Sequence, residues 1–139
     1  MPHTIELSET ADDILRNAIA RPLIAYNRQQ TGIADQRPLA LVIRNDDGEV
    51  TGGLWGRTGY GWLFVELLVV PESLRGQGIG AELLRRAEAE AVSRGCRSAW
   101  LDTFEFQARG FYERLGYRCF GELANYPVGF ARYFMTRDL

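Results

Sequence analysis

A strand that runs straight into three alternating glycines constrains this chain more than any other feature. Trp62 to Val70 is apolar throughout except for Glu66. Pro71-Glu72-Ser73-Leu74-Arg75 then leads into Gly76-Gln77-Gly78-Ile79-Gly80-Ala81. From there the apolar residues fall at Ile79, Leu83, Leu84, Ala87 and Ala91, the spacing of one helix face. Glycines at a strand-to-helix turn remove side chains where the first free N–H groups of the helix and the positive end of its dipole face outward. Such a turn cradles phosphate or pyrophosphate, and Arg75 at its rim can add charge-assisted bonds. A glycine-rich turn with no ligand is the plainer alternative.

The flanking segments supply the other elements of a single domain spanning residues 1–139. Thr10-Ala11-Asp12-Asp13 reads as a capping box before a helix, which Pro22 should kink or restart and Gly32 should end. Strands are expected at Leu39–Arg44 and Glu49–Arg57, joined by the turn Asn45-Asp46-Asp47-Gly48. Gly59-Tyr60-Gly61 turns into the apolar strand Trp62–Val70. The helix Ile79–Ser93 should stop at Gly95, with Glu82/Arg86 and Glu90/Arg94 pairs on its wet side. A strand Arg97–Thr103, a short helix Ala108–Leu115 and strands Tyr117–Leu123 and Phe130–Thr136 complete an α/β chain.

Composition removes several functions. The only histidine is His3, so a histidine triad or a histidine-rich metal site is not expected, and no metal is. A formal charge of −2 argues against a nucleic-acid partner. No apolar run approaches the ~20 residues that span a bilayer, so no membrane partner is expected. No secretory leader is apparent at the N-terminus, and Cys96 and Cys119 read as small apolar residues of a reducing, cytoplasmic compartment.

Among phosphate loops, the P-loop requires a Lys-Ser/Thr ending that Gly80-Ala81-Glu82 lacks. A dinucleotide fingerprint matches formally at Gly76-x-Gly78-x-x-Ala81. Five residues separate that strand from its first glycine, however, and the 37 residues after Asp102 cannot supply further βαβ units. Arg75-x-x-Gly78-x-Gly80 instead resembles the Arg/Gln-x-x-Gly-x-Gly/Ala signature of the GNAT superfamily of acetyl-CoA-dependent N-acetyltransferases. Ala108-Arg109-Gly110-Phe111-Tyr112-Glu113-Arg114-Leu115-Gly116-Tyr117 is similar to that family's second signature, Ala-x-x-x-Tyr-x-x-x-Gly-Phe/Tyr. Thr103 to Ala108 departs from it, with Glu105 near where the family more often has Asn.

The resemblance implies a mixed, mostly antiparallel sheet flanked by helices, with two central strands splayed apart. It implies that Leu68, Val69 and Val70 bind the pantetheine arm of acetyl-CoA through their backbone. Arg75, Gly76, Gln77, Gly78, Ile79, Gly80 and Ala81 would then hold its pyrophosphate. Tyr112 corresponds to the tyrosine near the coenzyme's sulfur, where it can protonate the departing thiolate; packing alone is the alternative. Glu66 interrupts an apolar strand, on the face expected to carry Phe64 and Leu68, and desolvating a carboxylate there is costly without a purpose. It can take the proton from an ammonium substrate, directly or through water; the alternatives are an exposed strand face, a structural pair with Arg132 or another arginine, and a water chain with no single base. Tyr26, Asn27, Trp55, Tyr126 and Arg132 are candidates for the acceptor site. The reaction implied is direct transfer of acetyl to a primary amine of a small molecule. A silent acyl-CoA-binding module and a protein or peptide acetyltransferase are the other readings, and a homodimer is open.

Overall fold

The computed structural model describes residues 2–139 and divides into two compact units, one ending at Ala34 and one spanning Asp35–Leu139. The first is built on a single helix, α1 (Asp13–Thr31). Its cap is Asp12, whose carboxylate accepts the Leu15 N–H at 2.9 Å, two residues beyond the expected Thr10. Gly32, at φ 70°, ends it as the sequence requires. The helix continues through Pro22 instead of restarting, because a proline removes one backbone donor while the turns on either side keep theirs. None of its residues is buried.

The second unit is a six-stranded sheet in the order β1-β2-β3-β4-β6-β5. The strands are β1 (Arg37–Arg44), β2 (Val50–Gly59), β3 (Trp62–Val69), β4 (Ser98–Phe104), β5 (Arg118–Leu123) and β6 (Arg132–Asp138). Every neighbouring pair is antiparallel except β3 with β4. A parallel pair needs a crossover, and α2 (Ile79–Ser93) supplies it. A shorter helix, α3 (Arg109–Arg114), joins β4 to β5. The expected sheet is therefore observed, mixed and mostly antiparallel.

The apolar stripe of α2 decides where the core lies. Leu83, Leu84, Ala87 and Ala91 are buried against Leu63 and Val65 of β3, Ala99 and Leu101 of β4 and Met135 of β6. Burying each large side chain in that layer contributes roughly 1.5–3 kcal/mol. On the wet side Glu90 pairs with Arg94 at 3.1 Å, as the spacing predicts. Glu82 and Arg86 do not pair; Arg85 instead reaches Glu88 at 2.6 Å.

Two irregularities position the functional residues. β3 pairs with β4 only from Trp62↔Ser98 to Val65↔Leu101, after which the two strands lose contact over their C-terminal residues. Opposite, β2 skips a residue against β3: Trp55 faces Leu67 and Gly56 faces Val65, leaving Glu66 as the bulge. The bulge resets the alternation of β3. Leu63 and Val65 face the core before it, and Leu68 and Val70 pack on that same core after it.

Candidate active site

The fork between β3 and β4 opens into a cleft of about 850 Å³. Its walls are Leu68–Val70, the glycine turn with the start of α2, and the segment from Phe106 to Tyr112. The strand edge facing the fork has lost its sheet partner, and unpaired backbone groups in a cleft call for one. Arg75 occupies part of it: its Nε donates to the Val70 carbonyl at 3.2 Å, fixing the loop to the strand end. The loop itself is a 3-10 turn, Glu72–Leu74, closed by Leu74 N–H to Pro71 C=O.

Gly76 and Gly78 both have positive φ, 79° and 78°, with open space where a Cβ would stand. They are glycines because of the backbone conformation. Gly80 has a different reason, since a Cβ there would meet the Phe111 ring at 3.2 Å, so its bareness lets α3 pack against α2. No side chain caps α2, and the backbone N–H groups from Gly76 to Ala81 have no partner among the described residues. That set of donors, at the positive end of a 15-residue helix, suits a pyrophosphate.

Tyr112 is buried on α3 and belongs to the core cluster, with its ring edge-on to Phe111 and Tyr117. Its hydroxyl makes no hydrogen bond, yet no buried side-chain polar atom among the described residues lacks a partner. The oxygen is therefore not sealed from solvent, and Tyr112 lines the cleft. Burial, with a contribution from the charge of Asp102, raises this phenol to about 12, so it holds its proton at neutral pH.

Behind Tyr112 stands a polar anchor that the sequence did not announce. The Tyr112 carbonyl accepts the Tyr117 N–H at 3.0 Å, and the Tyr117 hydroxyl donates to Glu88 Oε2 at 2.7 Å. Glu88 is buried on α2, where its other oxygen receives Arg85 at 2.6 Å and Arg137 at 2.8 Å. A buried carboxylate is tolerated only when fully paired, and this one ties α2, β6 and the end of α3 together. The i,i+3 position of Glu88 after Arg85 was the one legible trace of it.

The expectations for the other residues divide. Glu66 is exposed and unpaired, and the bulge takes it off the face that Leu68 now shares with the core; the premise of a desolvated carboxylate does not hold. Arg132 is not its partner. Instead Arg132 reaches Asp102 Oδ1 through Nε at 2.9 Å and Nη2 at 2.7 Å, with its guanidinium carbon 4.8 Å from the Tyr126 ring centroid. The structure therefore brings Tyr126 and Arg132 together around Asp102, a strand residue not among the candidates for the site. Trp55 is half-exposed on β2 beside the bulge. Tyr26 and Asn27 lie on α1, Tyr26 exposed and Asn27 half-buried. Beside the departure near Glu105, Gln107 closes the end of β4: its side-chain oxygen accepts the Phe104 N–H at 2.8 Å and the Thr103 hydroxyl at 3.2 Å. Cys96 is buried, which pushes its thiol up and away from nucleophilic use. Among the described residues no group of His, Cys, Asp or Glu could hold a metal ion, and no helix is long and apolar enough to cross a membrane.

Comparison with known proteins decides the family. Residues 6–117 match the Acetyltransferase (GNAT) family. The acetyltransferase Atu2258 of Agrobacterium fabrum is 51% identical over 123 residues, covering 88% of this chain and 90% of its own length. The chain belongs to the GNAT family of acetyl-CoA-dependent acetyltransferases. A blasticidin-S acetyltransferase of Streptomyces morookaense is 38% identical over 115 residues, 80% of this chain and 85% of its own. A crystal structure from Bacillus cereus, also of an acetyltransferase, superimposes with a TM-score of 0.80 at 32% identity, covering 96% of this chain and 98% of that one. Arg75, Gly78 and Gly80 of the GNAT signature line the cleft.

Proposed function

We propose that this GNAT protein transfers acetyl from acetyl-CoA to a primary amine of a small molecule, by direct attack with both partners bound. The observation that carries the reading is the coincidence, in one cleft, of partnerless N–H donors at the α2 N-terminus, a strand edge opened by the β3/β4 fork and an unengaged Tyr112 hydroxyl. Gly76 to Ala81 bind the pyrophosphate, and Arg75 adds charge at the rim. The edge of Leu68, Val69 and Val70, apart from the Val70 carbonyl that Arg75 holds, takes the amides of the pantetheine arm as an added strand would be taken. Acetyl-CoA, when bound there, supplies an acetyl thioester open to an amine.

The protein contributes proximity first, because holding both reactants in a cleft replaces a bimolecular encounter. Tyr112 keeps its proton at neutral pH and offers it at the hydroxyl oxygen to the departing sulfur. Glu66, exposed at the mouth of the fork, receives the amine's proton through water. No cysteine takes part, since Cys96 is buried and Cys119 donates to the Gly121 carbonyl at 3.3 Å. We place the protein in the cytoplasm on the strength of these two unpaired thiols.

A thiol-release assay with acetyl-CoA tests the reading. The acceptors should include polyamines, amino acids, aminoglycosides, peptides and, given the relative's name, blasticidin S. Release with at least one small amine is expected. Release only with peptides would move the substrate to proteins, and binding of acetyl-CoA without release from any acceptor would leave a silent binding module.

A further inference from the structure

We propose that the acceptor is a small amine carried on a planar aromatic ring, seated with its ring against Phe106 and its nitrogen on Asp102 Oδ2. This rests on the acetyl-transfer reading above and names the substrate class of that site. Four aromatic side chains converge where β4 leaves the fork. Phe104 and Phe106 stack at 5.2 Å with their planes 12° apart, Phe130 stands edge-on to Phe106 at 5.3 Å, and Tyr126 leans on Phe104 at 5.7 Å. Phe106 is 56% exposed, and Tyr126 and Phe130 are also exposed. A contiguous exposed aromatic patch is costly in water and marks a site of contact.

The patch is continuous with the acetyl-transfer cleft, because Phe106 and Tyr112 line the same wall. One face of Phe106 is covered by Phe104, so a further ring can extend the stack on the other with Phe130 as its side wall. Offset-stacked and edge-on geometries reward a flat ring and give an aliphatic chain of equal size less.

The polar end of the subsite is Asp102. Both Arg132 contacts fall on Oδ1, and Oδ2 has no partner. Asp102 is not an exposed residue, and no buried side-chain polar atom among the described residues is unsatisfied, so Oδ2 is not sealed from solvent. Asp102 is the first β4 residue beyond the last β3 pair, and its charge is felt at Tyr112. An amine hydrogen-bonded to Oδ2 therefore sits at the fork. Arg132, 5.3 Å from the Phe104 and Phe134 centroids, keeps Oδ1 engaged and so leaves Oδ2 as the free acceptor.

Benzylamine and cyclohexylmethylamine are close in size but differ in planarity and in basicity, so with kcat/KM expressed per unprotonated amine they make the test pair in a thiol-release assay. Benzylamine should show a kcat/KM about tenfold or more above cyclohexylmethylamine, and Phe106→Ala should bring the ratio near one. Asp102→Asn should raise the KM for benzylamine about tenfold or more and change kcat less, while acetyl-CoA still raises the melting temperature. Equal rates with the two amines, or an unchanged KM in Asp102→Asn, would overturn the inference and leave the acetyltransferase reading standing. Absence of thiol release with every amine would overturn both.

Discussion

Glu66 on β3 and Asp102 on β4 are the first residues past the last backbone pair of those strands, Val65 with Leu101. Each is a carboxylate at the point where the sheet opens, but their settings differ. Glu66 is exposed at a bulge, whereas Asp102 is half-buried and held by Arg132. The first suits exchange of protons with water, the second fixed orientation of a bound group.

Glu66→Gln should therefore leave stability within about 0.5 kcal/mol, since nothing packs on or pairs with that carboxylate. If Glu66 receives the amine's proton, kcat/KM at neutral pH should fall about 100-fold. Steady-state kinetics beside urea denaturation read the two effects separately, and an unchanged rate would remove Glu66 from the reaction.

Gly78→Glu places charge and bulk in space that is now open and forces a side chain to φ 78°. The backbone penalty should be about 1–2 kcal/mol, which a core of this size tolerates. Acetyl-CoA at saturation should raise the melting temperature of the parent protein by several degrees and that of the variant not at all.

Tyr112→Phe deletes a hydroxyl that is not sealed from solvent and has no partner in the chain. Stability should hardly change, kcat should fall about 100-fold, and acetyl-CoA affinity should stay as it was. Loss of affinity without loss of kcat would make Tyr112 a packing residue.

Alkali should destabilise the fold in a defined window. Tyr112 is raised from 10.0 to about 12, and Tyr117 is raised beyond it by burial and by Glu88. Between pH 10 and 12 the unfolded chain has released the Tyr112 proton while the folded one retains it, so stability is whole below pH 10 and falls above it. Tyr112 alone accounts for up to roughly 3 kcal/mol over that window. Denaturation curves at stepped pH would show it, and Tyr112→Phe should flatten the slope.

Arg94→Ala should cost more than Glu90→Ala, although the two residues form one ion pair. Arg94 Nη1 also donates to the Pro38 carbonyl at 3.0 Å and to Thr58 Oγ1 at 3.1 Å, bolting the end of α2 to β1 and β2. Losing those bonds, of which the one to Thr58 is part-buried, should cost about 2 kcal/mol, against less than about 1 kcal/mol for the exposed Glu90 partner. Equal effects in urea denaturation would mean the backbone contacts contribute nothing.

Local residue patterns are enough to define the helices and the glycine turn. The spacing of Leu83, Leu84, Ala87 and Ala91 defines α2, and Gly76 and Gly78 announce the turn that frees its N-terminal donors. Both follow from local rules, helical periodicity and the positive φ that only glycine adopts cheaply. Which side chains face one another follows only from the folded sheet. A single unpaired residue in β3 moved Glu66 to the surface and turned Leu68 and Val70 inward, because strand alternation is only as reliable as the register of the neighbouring strand. Asp102, Glu88 and the rings around Phe106 acquired their meaning from partners 22 to 49 positions distant or from a fork in the sheet. No local pattern encodes those distances; they exist only once the sheet has closed and the carboxylates have met the arginines that make their burial tolerable.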